Sequence, residues 1–139
     1  MKASSIYVNL PVKDLGKTRE FWSKLGFTFN ERFSNDKGIC MILNEGSIYV
    51  MFLKKEFFET FTDRPVFDGS TTQILNAIEV GSRENVDKIV GLALSMGAKR
   101  YSVAQDHGWM YYDSFSDLDG HQWEIMFTDD SKLIEINES

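Results

Sequence analysis

Apolar and polar side chains alternate from Tyr7 to Val12: Val8, Leu10 and Val12 fall on one side, and Tyr7, Asn9 and Pro11 on the other. That period of two predicts a strand. The pattern then changes to the helical period. Asp14 stands where an N-cap belongs, Leu15, Thr18, Phe21, Trp22 and Leu25 share one face, and Gly26 supplies the stop. Three strand-like runs follow, "FTFNERF", "GICMILN" and "SIYVMFL", separated by turn residues at Ser34–Gly38 and Asn44–Gly46.

The whole series repeats. "ILNAIEV" reads as a strand and Ser82 as a cap. Val86, Ile89, Val90 and Ala93 form an apolar stripe, and Gly97 ends the helix. "KRYSVA", "WMYYDSF" and "HQWEIMF" come next, with turns expected near Gln105–Gly108 and Asp117–Gly120. Each half therefore reads β-α-β-β-β. A sheet with its helix on only one face leaves the other face uncovered, so two such modules are expected to pack together.

The expected fold class is α+β, with the paired modules forming a curved, barrel-like mixed sheet flanked by helices. Residues 1–139 form a single domain in this reading: module one at 5–53, a linker at 54–72, module two at 73–128 and a tail at 129–139. The linker carries Phe57, Phe58 and Phe61 on a short amphipathic stretch, which suits either a connector pinned to the sheet or a lid over a cavity. Leu133, Ile134 and Ile136 in the tail suit docking on a second subunit.

Composition narrows the partners. The net charge is −6, the wrong sign for tracking a phosphate backbone, so nucleic acid is not an expected partner. No apolar run is long enough to span a membrane and the first residues lack the apolar core of a signal peptide, so a cytoplasmic protein is expected. Cys40, the one cysteine, lies in an apolar run and reads as a small buried hydrophobe.

The chemistry concentrates in "SDLDGHQWEIMF", a turn running into a strand that carries Glu124. A calcium loop does not fit there, because its first and last ligand positions would fall on Phe115 and Met126. Strand parity sets Glu124 and Met126 opposite Trp123, Ile125 and Phe127. A carboxylate on an apolar face needs donors, and Tyr7 and Asn9 are candidates to supply them. Tyr49, His107, Trp109 and Tyr111 complete the candidate ligand-binding set, the aromatic members being suited to stacking on a planar ligand. His121 is expected to be exposed at the start of its strand.

With paired β-α-β-β-β halves, "LPVKDLGKTREFWSKLGF" and "DLDGHQWEIMF", the sequence resembles the vicinal oxygen chelate superfamily. That group includes glyoxalase I, bleomycin and fosfomycin resistance proteins and extradiol dioxygenases. The resemblance runs from about residue 5 to 128 and is closest to small bacterial proteins described as lactoylglutathione lyases. It implies a homodimer, with modules paired within one chain or exchanged between chains. It also implies metal-ligand positions on the first and last strands of each half, which here are Tyr7, Leu75 and Glu124, while "IYVMFL" offers no carboxylate or imidazole. Because a catalytic divalent ion takes about three protein ligands, no preformed metal site and no cofactor are expected. The leading expectation is a protein that binds a small molecule in a barrel cavity. The alternative is a lactoylglutathione lyase-like enzyme with Glu124 as catalytic base or metal ligand.

Overall fold

A computed structural model describes residues 1–132, and the expected tail contacts of Leu133, Ile134 and Ile136 lie outside them. The chain divides into two compact units, Met1–Asp68 and a second beginning at Gly69. The first contains β1 (Ile6–Val12), α1 (Leu15–Lys24), β2 (Thr28–Phe29), β3 (Gly38–Asn44), β4 (Ile48–Lys54) and the short α2 (Lys55–Phe58). The second contains β5 (Leu75–Glu79), α3 (Arg83–Ser95), β6 (Gln105–Asp106), β7 (Met110–Ser116) and β8 (Gln122–Thr128). The strand orders are β1-β4-β3-β2 and β5-β8-β7-β6, with the β1–β4 and β5–β8 pairs parallel. The α+β class and the repeated module are as expected. The strands form two separate four-stranded sheets rather than one closed barrel, because no hydrogen-bonded ladder joins them among the described residues.

Both caps act as the sequence implies. The Asp14 carboxylate accepts from the Lys17 N–H and the Ser82 hydroxyl from the Asn85 N–H, satisfying donors that each helix start leaves free. Within the first unit, Phe21 and Trp22 of α1 are buried, and Trp22 stacks on Phe52 at 5.9 Å. Leu10, Val12, Ile39, Met41, Val50 and Phe52 form the buried side of the sheet beneath them. Burying one such side chain contributes roughly 1.5–3 kcal/mol. In the second unit Val86, Val90 and Ala93 of α3 are buried, as are Phe115, Trp123 and Ile125 on the helix side of the sheet. Cys40 is fully buried.

Two expected strands are shortened by side chains that compete with the ladder. In "FTFNERF" only Thr28 and Phe29 pair. Asn30 then accepts from the Arg32 N–H through its side chain, and Glu31–Phe33 forms a 3-10 turn. In "KRYSVA" a single bridge joins Lys99 to Ser116. Arg100 turns to Asp113, with contacts of 2.9 and 2.7 Å, and Ser102 bonds Ser114 through the two hydroxyls at 3.0 Å. Pairing resumes at Gln105–Asp106, where a turn was expected, and the reversal comes later, with Gly108 at φ 80°. The segment read as a linker is shared: Lys55–Phe58 packs on β1 and β4, whereas Thr72 bonds Gln122 of β8 at 2.5 Å.

The turn before β8 is built on Asp117. One carboxylate oxygen accepts from the backbone N–H groups of Asp119 and His121, both at 3.0 Å. The other accepts from the Trp123 indole N–H at 3.0 Å. The Asp117 N–H donates to the His121 carbonyl at 2.8 Å, folding the chain back. His121 is therefore buried, only 4% exposed, which corrects the expectation of an exposed residue. Gly120 lies at φ 84°, and a Cβ there would meet the Gly69 backbone at 2.9 Å. The glycine is needed for conformation and for close approach together.

Removing the Asp117 carboxylate leaves three N–H groups at or near the interior without an acceptor. Asp117→Ala is expected to cost on the order of 2–4 kcal/mol, and Asp117→Asn, which keeps one carbonyl acceptor, distinctly less. Urea unfolding followed by Trp123 fluorescence measures both; equal losses for the two variants would contradict this role.

Candidate functional site

In each unit the sheet face turned away from the long helix is the chemically open one. The first unit's open face carries Tyr7, Asn9 and Pro11 from β1, Tyr49, Met51 and Leu53 from β4, and Cys40 from β3, as the strand register requires. Tyr7 is half exposed and stacks on Tyr49, with centroids 4.7 Å apart and planes 13° from parallel. The Tyr49 hydroxyl accepts from the Gly46 N–H at 2.7 Å, so it braces the β3–β4 turn. Beside this pair α2 and the 3-10 turn that follows it fold over the face. Asn9, Met51, Leu53, Phe57, Phe58 and Phe61 enclose a recess of about 530 Å³. Its walls are aliphatic and aromatic, and the Asn9 amide is the main polar group. The segment read as connector or lid is thus a wall of a recess.

The second unit's open face carries Leu75 and Ala77 from β5, Gln122, Glu124 and Met126 from β8, and Tyr112, Ser114 and Ser116 from β7. Glu124 lies between Ala77 and Ser114 in the register. It is half-buried and makes no hydrogen bond or ion pair with any described residue. Close by is Tyr101, which the sequence reading did not single out. Its hydroxyl is buried and has no hydrogen-bond partner. Burial, reinforced by the charge of Glu124 and by Tyr112, pushes the Tyr101 phenol up to about 12. A phenol held protonated near an unpaired carboxylate is a donor and an acceptor, each waiting for a group to bind.

The remaining predicted residues lie elsewhere. Tyr111 is on the helix side, opposite Glu124: its hydroxyl donates to Asp87 of α3, and the Arg83 guanidinium sits 5.1 Å from its ring. Arg83 also bonds Asp106 at 2.7 Å and the Gly108 carbonyl at 3.3 Å, tying the β6–β7 hairpin to the start of α3. His107 is exposed at the hairpin tip, its ring 6.3 Å from that of Tyr112. Trp109 is half-buried, and its carbonyl accepts from the Asp129 N–H. Parity along β7 separates Tyr111 from Tyr112. Tyr101 could not be placed in this way, because its segment departs from regular strand geometry.

Residues 5–41 match the family described as bleomycin resistance protein-like N-terminal. Nearly the whole chain superposes on solved structures. A glyoxalase/bleomycin resistance protein/dioxygenase family enzyme from Burkholderia phytofirmans is 21% identical, with 91% of this chain and 100% of that one covered at a TM-score of 0.74. A glyoxalase-related enzyme from Fulvimarina pelagi is 18% identical, with 92% and 89% covered at 0.76. A bleomycin resistance determinant encoded on transposon Tn5 is 16% identical, with 91% and 99% covered at 0.61. A comparison with curated proteins gives no match. The chain thus has the glyoxalase/bleomycin resistance fold.

The metal-ligand positions that the resemblance implies can be tested on the residues that occupy them. Leu75 has no donor atom and Tyr7 offers a phenol. Counting the register from these two residues, Met51 holds in β4 the place that Glu124 holds in β8. Among the described residues no three His, Cys, Asp or Glu side chains gather where they could hold a metal ion. This donor set does not fit a catalytic divalent cation.

If the charge of Glu124 acts on Tyr101, removing it lets the phenol ionise earlier. In a Tyr111→Phe background, which removes the other tyrosine raised to about 12, ultraviolet pH titration should show one late-ionising phenol. Glu124→Gln is expected to move that transition to lower pH, and Tyr101→Phe to abolish it. A late transition untouched by Glu124→Gln would separate the two groups.

Proposed function

We propose that this chain is a small-molecule binding protein of the glyoxalase/bleomycin resistance type, whose ligands lie on the sheet faces turned away from α1 and α3. The carrying observation is Glu124. A carboxylate that no described residue partners leaves its acceptors open, and a ligand that brings a protonated amine or a hydroxyl to it gains a charge-assisted bond. Tyr101 supports the reading as a neutral donor near the same carboxylate. The aromatic recess of the first unit supports it independently, since apolar walls around a single amide suit a flat organic molecule. Binding in this proposal uses no preformed metal site, in keeping with the leucine and methionine at ligand positions.

An enzymatic reading, with Glu124 as catalytic base, is the second possibility, and the unpaired Glu124–Tyr101 arrangement is what favours it. The carboxylate would take a proton and the phenol would hold a developing oxyanion.

A thermal-shift screen of organic amines, polyhydroxylated compounds and flat aromatic cations tests the proposal. For ligands that engage the carboxylate, Glu124→Gln is expected to weaken binding roughly 10- to 100-fold, the worth of a charged hydrogen bond. Ligands bound equally by wild type and Glu124→Gln, together with lower stability of the free variant, would make the residue architectural. Retained binding with lost turnover of a bound compound would favour the enzyme.

A further inference from the structure

A second recess, of about 510 Å³, lies entirely within the second unit and does not include Glu124. Three stretches wall it: the loop Gly69–Thr72, the chain leaving α3 from Gly97 to Tyr101, and the turn from Ser116 to Gln122. Its floor is rigid, because Gly69 and Gly120 meet backbone to backbone, with a Cβ on Gly69 only 3.0 Å from the Asp119 carbonyl.

The wall is rich in unused donors. Lys99 is exposed and makes no ion pair with a described residue. The side-chain hydroxyls of Thr71 and Ser116 likewise make no hydrogen bond to a described residue. The Tyr101 hydroxyl is sealed from solvent and is not among them. The acids of this region are already engaged. Asp113 is bound in bidentate fashion by Arg100, and Asp117 accepts three N–H bonds from its own turn. The recess therefore offers an ammonium and two hydroxyls with no free carboxylate to match them, on a chain whose net charge is −6.

We propose that this recess is a binding site for a small oxyanion, carried as a phosphate or a carboxylate group on an organic molecule, with Lys99 as the countercharge and Thr71 and Ser116 as hydroxyl partners. Charge-assisted bonds from an ammonium to such oxygens are about twice as strong as neutral ones. The volume exceeds that of a bare phosphate, leaving room for the body of a small metabolite. The recess borders the Glu124 face, since Ser116 and Gln122 of that face stand in its wall, but Glu124 itself lies outside it.

The test is titration of the isotopically labelled chain with inorganic phosphate and, separately, with succinate, at constant ionic strength set with chloride. Saturable amide shifts at Thr71, Thr72, Lys99 and Gly120 are expected, and the tighter of the two probes identifies the oxyanion carrier. Lys99→Gln is expected to weaken the tighter probe about tenfold, from the loss of one charge-assisted contact. Thr71→Val should weaken it less, and Lys132→Gln, which removes a lysine outside the recess, not at all. Glu124→Gln should leave the oxyanion affinity undiminished, so failure of the Glu124 reading and failure of this one are separable. No saturable shift with either probe would overturn the proposal, as would shifts that Lys99→Gln leaves unchanged in a variant whose remaining spectrum matches wild type.

Discussion

The second unit depends on a buried carboxylate that binds only its own chain. Asp117 gathers two backbone N–H groups and an indole N–H, and through them fixes three things: the turn, the burial of His121 and the orientation of Trp123. Trp123 is the residue of β8 that lies against α3. Once it points inward, alternation leaves no choice for its neighbour, and Glu124 must face the other way. The position of Glu124 thus follows from an acid seven residues earlier. Burial pushes the Asp117 carboxyl up, while His121, the indole and the two backbone donors oppose that rise. An acid in such surroundings is retained for the geometry it dictates more than for net stabilisation.

The repeated module, both helix caps, β3 residue for residue, and the parity of β1 and β8 were legible because each rests on a local rule with a short range. The failures also have a local cause. Asn30, Arg100 and Ser102 can satisfy backbone or side-chain partners more cheaply than a ladder can, and periodicity does not register that competition. His121 was misread because its burial is imposed by Asp117 through contacts that apolar patterning does not encode. Tyr101 was invisible for a stronger reason. A hydroxyl without a partner is a property of everything around it, and no single residue type announces it.

The two modules show how a repeat diverges without losing its topology. Strand order, the parallel pair and the capped helix are the same in both. The open faces are not. In the first unit the position equivalent to Glu124 is Met51, and the surroundings are Phe57, Phe58 and Leu53. In the second, serines, tyrosines and a glutamate take over. The helix-facing sides are constrained by packing density, where a change of one methylene is felt. The open faces are constrained only in part: Cys40, Leu53 and Ser114 are buried there, whereas Met51 and Glu124 are less so, and at such positions the chemistry differs while the backbone is preserved.

That freedom bears on why Glu124 is left without a partner. A glutamate whose purpose was structural would be expected to follow the precedent of the other buried acids here: Asp113 has Arg100, and Asp117 has three donors. Serines stand on the neighbouring strand at the right parity, yet Ser114 spends its hydroxyl on Ser102. The Tyr101 hydroxyl is buried without a partner, and Glu124 near it has no described partner, in a unit whose buried acids Asp113 and Asp117 are both engaged. Unmet hydrogen-bonding capacity of this kind is destabilising in the free protein and becomes favourable only when something else completes it. The same logic distinguishes the binding reading from metal catalysis: with Leu75 at the companion position, Glu124 offers a cation a single side-chain ligand, whereas an organic amine or hydroxyl needs only one.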